Sequence, residues 1–137
     1  MIFWEKDWGT ITADTYCERI VPIIDGWLRM HPGHLYMEDN APPHTARATR
    51  EEFAARGVYP IIWPPHSPDL NPIKTLWNWI KEALHNRSPR ISRLEDLRGA
   101  IKEIWASFTQ EKIDELLEEM QKRVRACVKA EGGHIPY

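Results

Sequence analysis

The chain has 137 residues, of which 42% are hydrophobic and 28% are charged, and its formal net charge is −2. This length fits one globular domain with its own core, and no apolar run approaches the roughly 18 residues that a membrane-spanning helix needs. The small negative charge excludes a general attraction to nucleic acid, so any contact with DNA has to come from local basic patches. The N-terminal residues do not resemble a signal peptide. Cys17 and Cys127 lack CxxC spacing, which favours reduced thiols in an intracellular protein.

The first half of the chain predicts alternating helices and strands. Thr12 or Asp14 can cap a helix, and Pro22 inside its apolar pattern predicts a kink or two shorter helices. A further helix is predicted at 45–56, ended by Gly57. Three short apolar runs are predicted as strands: 2–4, 34–38 and 58–63. The last two strands are expected to pair in parallel, because a helix joins them.

The second half predicts helices alone. Asn71-Pro72 opens the first, and a capping box from Ser92 to Glu95 opens the second. The third runs from about Gln110 and ends at Gly132-Gly133. The fold class is therefore predicted to be α/β: one domain over 1–137, with an α/β part at 1–70 and a helical part at 71–137.

Two residues at the edge of the predicted sheet are candidates for a functional site. Asp39 follows the strand at 34–38, and Lys74 lies early in the helix that follows the strand at 58–63. Because ligands and metals gather at the carboxyl ends of parallel strands, acidic residues at both positions would make a divalent-metal site. Here one of the two is a lysine.

The surrounding motifs are specific. They read DNAPPHT at 39–45, WPPHSPDLNPI at 63–73 and LW at 76–77. With these motifs the chain resembles, over essentially its whole length, the catalytic core of Tc/mariner-type DDE transposases, with the fungal DDE-endonuclease branch the most similar. The resemblance implies an RNase-H-like fold, truncated in this chain. It also implies three carboxylates that hold two Mg²⁺ (or Mn²⁺) ions, which activate water or a 3′-hydroxyl to attack a DNA phosphodiester.

By this resemblance Asp39 occupies the second carboxylate position and Lys74 the third, with the family's spacing of 34 residues between them. The first carboxylate is expected upstream of the segment that matches 2–4, outside this chain. A lone carboxylate cannot hold two metal ions, and a nearby lysine repels them. We therefore expect Asp39 to pair with Lys74, metal binding to be doubtful, and the chain alone to be inactive. His44 and His66 are interpreted as helix-start and loop residues, and Asp69 as a brace of the proline-rich turn.

Arg87, Arg90 and Arg93 are candidates for contact with DNA phosphates, although they also fit a solvated surface of mixed charge. The leading hypothesis is a metal-dependent DNA endonuclease of transposition, degenerate in this chain and nuclear if it functions as a transposase. The alternative is a non-catalytic nucleic-acid- or protein-binding module. A third possibility is complementation by a separate N-terminal part, and exposed strand edges favour self-association.

Overall fold

The computed structural model describes residues 2–137, and within that range the chain forms α-helices and irregular segments but no β-strand. The helices are α1 (Ala13–Arg19), α2 (Val21–Met30), α3 (Pro42–Thr45), α4 (Arg47–Ala55), α5 (Ile73–His85), α6 (Leu94–Ala106) and α7 (Gln110–Lys129). Single 3₁₀ turns occur at Lys6–Trp8 and Pro68–Leu70. Residues 2–137 contain no helix that combines the length and the apolar character of a membrane span. Two compact units divide the chain, Ile2–His66 and Ser67–Tyr137.

The predicted parallel sheet is wrong, and with it the α/β fold class. Segments 2–4, 34–38 and 58–63 are irregular. One backbone hydrogen bond joins the last two, from the Ile61 N–H to the Tyr36 carbonyl at 2.8 Å, whereas a sheet needs a repeated ladder of such bonds. The apolar side chains are also not covered as the prediction assumed, since Leu35 is 79% exposed and Ile62 is 96% exposed. Hydrophobic burial therefore does not drive strand formation here.

In the first unit, helices enclose a small core. Thr12 caps α1 in a capping box with Thr15, and the chain breaks at Ile20 into α1 and α2, as the proline at position 22 predicted. The predicted helix at 45–56 is found as α4, while Thr45 ends the separate short helix α3. A positive φ of 72° at Gly57 follows α4. The buried hydrophobic residues are Tyr16, Val21, Phe53 and Val58. Burial of each such side chain stabilises the unit by about 1.5–3 kcal/mol.

In the second unit, α5 packs on α6. Asn71 accepts a hydrogen bond from the Ile73 N–H at 3.2 Å and so supports the start of α5. The capping box predicted for α6 is wrong, because Arg93 stands at the N-cap and no side chain bonds there. The predicted end of α7 is confirmed: Gly132 has a φ of 83°, and its N–H bonds to the Cys127 carbonyl at 3.0 Å.

The C-terminal residues of the second unit are attached to the proline-rich turn. Oδ2 of Asp69 accepts a hydrogen bond from the Ile135 N–H at 3.0 Å, and Oδ1 accepts one from the Leu70 N–H at 3.1 Å. Arg123 donates to the Asp69 carbonyl at 3.0 Å, and it is only 2% exposed. The set Asp69, Arg123 and Ile135 is called the C-terminal clamp below. Asp69 thus braces the turn, in agreement with its interpretation from sequence.

Candidate active site

Asp39 lies in the irregular segment before α3, in the first unit. Its Oδ1 accepts a hydrogen bond from the Ala41 N–H at 3.1 Å and lies 2.9 Å from Nδ1 of His44. The same Nδ1 is 3.0 Å from the Asp39 backbone carbonyl. Two prolines at the start of α3 turn the chain back so that His44 reaches Asp39. His44 therefore orients one carboxylate oxygen, while the Asp39 side chain stays 48% exposed.

Glu38 forms a partly buried polar cluster next to Asp39. Its Oε2 accepts hydrogen bonds from the hydroxyls of Tyr16 and Tyr36, at 3.0 and 3.1 Å, and these hydroxyls are 3.0 Å apart. Burial raises the pKa of Glu38, and the opposing effects of His44 and of the two hydroxyls do not cancel this rise. Burial likewise raises the pKa of both tyrosines. Sequence reasoning missed this cluster, because nothing in the spacing links position 16 to position 38.

A cavity of about 480 Å³ opens beside these side chains. Glu38, Asp39 and His44 line it on the polar side, together with Arg50. Its other walls are mostly apolar side chains of α4 and of the segment 58–63. Asn40 ties the two irregular segments together by donating to the Trp63 carbonyl at 2.9 Å. The cavity thus offers carboxylates and one cation against an apolar wall.

These residues do not fit a two-metal centre. Within residues 2–137 no group of three or more His, Cys, Asp or Glu side chains is arranged to hold a metal ion. Asp39 offers one carboxylate, and the carboxylate of Glu38 already accepts two tyrosine hydroxyls. Mg²⁺ prefers near-octahedral coordination by oxygen and usually keeps several waters, and two such ions need several carboxylates between them.

Lys74 lies in the first turn of α5, where it is exposed and has no ion-pair partner among the described residues of the second unit. Its assignment to the family's third carboxylate position stays a prediction. An ion pair between Asp39 and Lys74 stays a prediction.

The three candidate DNA-binding arginines differ in their surroundings. Nη2 of Arg87 lies 2.7 Å from Oε2 of Glu103, so this charge is paired. Arg93 is exposed at the N-cap of α6. Arg90 lines a cavity of about 360 Å³ with Lys81 and His85, and no carboxylate is among its lining residues. The structure therefore brings Arg90 together with two basic side chains on α5, and sequence reasoning had not grouped His85 with them.

Comparison with known proteins agrees with the motifs. Residues 7–98 match the family described as DDE superfamily endonuclease. The Tcb2 transposase of Caenorhabditis briggsae is 32% identical over 113 residues, which is 81% of this chain and 41% of that protein. The Tc3 transposase of Caenorhabditis elegans is 28% identical over 102 residues, 74% of this chain and 31% of that protein. The chain thus spans less than half the length of these relatives.

Solved structures of a transposase catalytic domain have a fold similar to that of this chain. The catalytic domain of Mos1 mariner transposase superposes with a TM-score of 0.79 at 25% identity, covering 92% of this chain and 65% of that one. A structure of the Mos1 catalytic domain with raltegravir and Mg gives a TM-score of 0.80 at 24% identity, over 92% of this chain and 66% of that chain. Since the family match covers well over half of its residues, this chain belongs to the DDE superfamily endonucleases, as a Tc/mariner-type transposase domain.

Proposed function

We propose that this chain is a DNA-binding part of a transposase-type endonuclease and that it does not cleave DNA on its own. The proposal rests on the residues found at the two positions that the resemblance assigns to metal ligands. Asp39 is a single carboxylate held by His44, and position 74 is an exposed lysine. A hard divalent cation needs oxygen ligands, and a lysine ammonium offers no lone pair. A lysine at a ligand position therefore removes a metal ligand instead of supplying one.

The metal of an intact family site is proposed to be Mg²⁺ or Mn²⁺, since the Mos1 catalytic domain has been solved with both metals. In this chain Asp39 is the residue proposed to contact such an ion. The proposed place of action is inside the cell, in the nucleus, because DNA is the proposed substrate.

The proposed DNA contact lies on the second unit, at the cavity of Lys81, His85 and Arg90. Lys81 and Arg90 are exposed and form no ion pair with described residues. Cations without local carboxylates are free to replace the counterions of DNA phosphates. Arg87 is a weaker candidate because it is paired with Glu103, and Arg93 is proposed as a flanking contact.

Cleavage is tested with supercoiled plasmid in Mg²⁺ or Mn²⁺. The unmodified chain should leave the plasmid intact. Lys74→Glu should not produce nicking either, because one added carboxylate still leaves too few ligands to hold two metal ions. Nicking by the unmodified chain that requires Mg²⁺ and disappears in Asp39→Ala would contradict the proposal.

DNA binding is tested by fluorescence anisotropy with a labelled duplex. Lys81→Ala combined with Arg90→Ala should weaken binding to all sequences alike and reduce the slope of log K against log salt by about 1 per lost contact. Arg47→Ala is the matched control, because Arg47 is exposed but paired with Glu51 at 2.7 Å in the first unit. Equal affinity of the double variant and the control would argue against this surface.

A second candidate is the non-catalytic binding module, favoured by apolar side chains that remain exposed. On α7, Leu117 is 56% exposed, Val124 is 50% exposed and Val128 is 73% exposed. Such groups favour self-association, or complementation by another polypeptide that covers them. Analytical sedimentation at increasing protein concentration distinguishes self-association from binding of another polypeptide. A monomer at all concentrations speaks against self-association and leaves the DNA-binding proposal unaffected.

A further inference from the structure

Three aromatic rings cluster where α2 ends. The imidazole of His31 stacks on Trp27, with ring centroids 4.1 Å apart and planes inclined by 15°. His34 meets the edge of Trp27 at 5.1 Å, and the two imidazole centroids are 5.9 Å apart. Pro32 and Gly33 join the two histidines, and Gly33 adopts a φ of 90° that favours glycine. The tight turn keeps both rings on one exposed surface.

The hydrogen bonds of the two imidazoles define which nitrogen carries the proton. Nδ1 of His31 lies 2.8 Å from the Trp27 carbonyl, and Nδ1 of His34 lies 3.1 Å from the His31 carbonyl. A carbonyl oxygen accepts only, so in each ring Nδ1 is the donor. In the neutral ring the lone pair is then on Nε2. This pattern, with Nδ1 on a backbone carbonyl and Nε2 available, is that of a metal-binding histidine.

The spacing of the rings suits a shared ion. A metal about 2.1 Å from Nε2 lies about 3.2 Å from the ring centroid, so tetrahedral coordination separates two such centroids by about 5.2 Å. The observed separation is 5.9 Å. The observed centroids are thus about 0.7 Å farther apart than this value, and both side chains are exposed. Binding of one ion by both histidines therefore requires the rings to rotate until the two Nε2 atoms face it.

We infer that His31 and His34 form a two-histidine site for a borderline divalent transition metal such as Zn²⁺ or Cu²⁺, with water in the remaining positions. Imidazole nitrogen suits these ions, whereas Mg²⁺ prefers oxygen ligands. The site is independent of the proposed endonuclease function and of Asp39. It uses two protein ligands, so it is consistent with the absence of larger ligand groups in residues 2–137.

The test is calorimetric titration of the full chain with Zn²⁺, and with Cu²⁺ followed by tryptophan fluorescence. Outer-sphere partners alone change metal affinity by about 10–100-fold, so loss of one of two ligands should weaken Zn²⁺ binding at least about tenfold. We expect this loss in His31→Gln and in His34→Gln. His66→Gln, which removes another exposed histidine of the first unit, should bind as the unmodified chain does. Trp27→Phe should keep Zn²⁺ binding but lose most of the Cu²⁺ quenching.

Several results would overturn the inference. They are the absence of Zn²⁺ binding by the unmodified chain, an unchanged affinity in both His31→Gln and His34→Gln, or an equal loss of affinity in His66→Gln. Loss of Zn²⁺ binding in Asp39→Ala would place the ion in the cavity beside Asp39 and would also refute the inference. Circular dichroism of each variant separates loss of the site from loss of the fold. Failure here leaves the plasmid and DNA-binding tests untouched.

Discussion

Arg123→Ala should destabilise the second unit more than any exposed substitution on the same helix. Arg123 is 2% exposed and donates three hydrogen bonds, to the Asp69 carbonyl at 3.0 Å, to Thr75 Oγ1 at 3.1 Å and to Glu119 Oε2 at 3.2 Å. Its guanidinium also lies 5.0 Å from the ring centroid of Tyr137. The substitution removes all of these contacts together and leaves a cavity.

The size of the effect follows from opposing contributions. A hydrogen bond to a charged group is worth about 1.5–3 kcal/mol, but bonds that share one side chain do not add fully. The burial of the guanidinium costs free energy, and its Nε has no hydrogen-bond partner. The Glu119 side chain is 41% exposed and can be solvated again after the substitution. We therefore expect the free energy of unfolding to fall by about 2–3 kcal/mol.

Urea unfolding followed by far-ultraviolet circular dichroism measures this change. Arg125→Ala is the matched control, since Arg125 is exposed on the same helix, and it should change stability by no more than about 0.5 kcal/mol. Arg123→Met keeps apolar volume but removes the hydrogen-bond donors, so its loss of stability should lie between those of Arg123→Ala and Arg125→Ala. Equal midpoints for Arg123→Ala and Arg125→Ala would refute the idea that the C-terminal clamp stabilises the unit.

Three further predictions concern titration and packing. The hydrogen bond from the Ile135 N–H holds the pKa of Asp69 below its ordinary value. The ionised Asp69 carboxylate therefore stabilises the folded state above the unfolded-state pKa of about 3.9, and this stabilisation is lost as pH falls through the lower folded-state pKa. Asp69→Asn should therefore be less stable at neutral pH, with the difference shrinking in acid unfolding curves. Burial raises the pKa of Tyr16, so the folded state favours its protonated hydroxyl, and the stabilisation from this group is lost as pH rises above about 10. In Tyr16→Phe the free energy of unfolding should therefore depend less on pH in the alkaline range. Phe53→Ala, at 2% exposure, should cost about 3–5 kcal/mol in urea unfolding, whereas Ile62→Ala, at 96% exposure, should cost little.

Local signals in the sequence were enough to predict most helices and the family. The cap at Thr12, the proline at position 22 and the glycine at position 132 act through backbone sterics and neighbouring hydrogen bonds. These interactions span a few residues, so they can be read from adjacent letters. The motifs at 39–45 and 63–73 identify the family for the same reason, and the family match over 7–98 confirms it. The roles predicted for Asp39 and Lys74 stay predictions.

Local signals failed where distant residues decide the outcome. An apolar run forms a strand only if another chain segment pairs with it, and the segments at 34–38 and 58–63 share a single backbone hydrogen bond. On α7 the apolar Val124 is 50% exposed, whereas its charged neighbour Arg123 is buried. That arginine is buried because Asp69 and Thr75, far from it in sequence, supply its acceptors. Amino-acid order thus determined the helices and the family, and only the tertiary structure decided which polar groups are buried together.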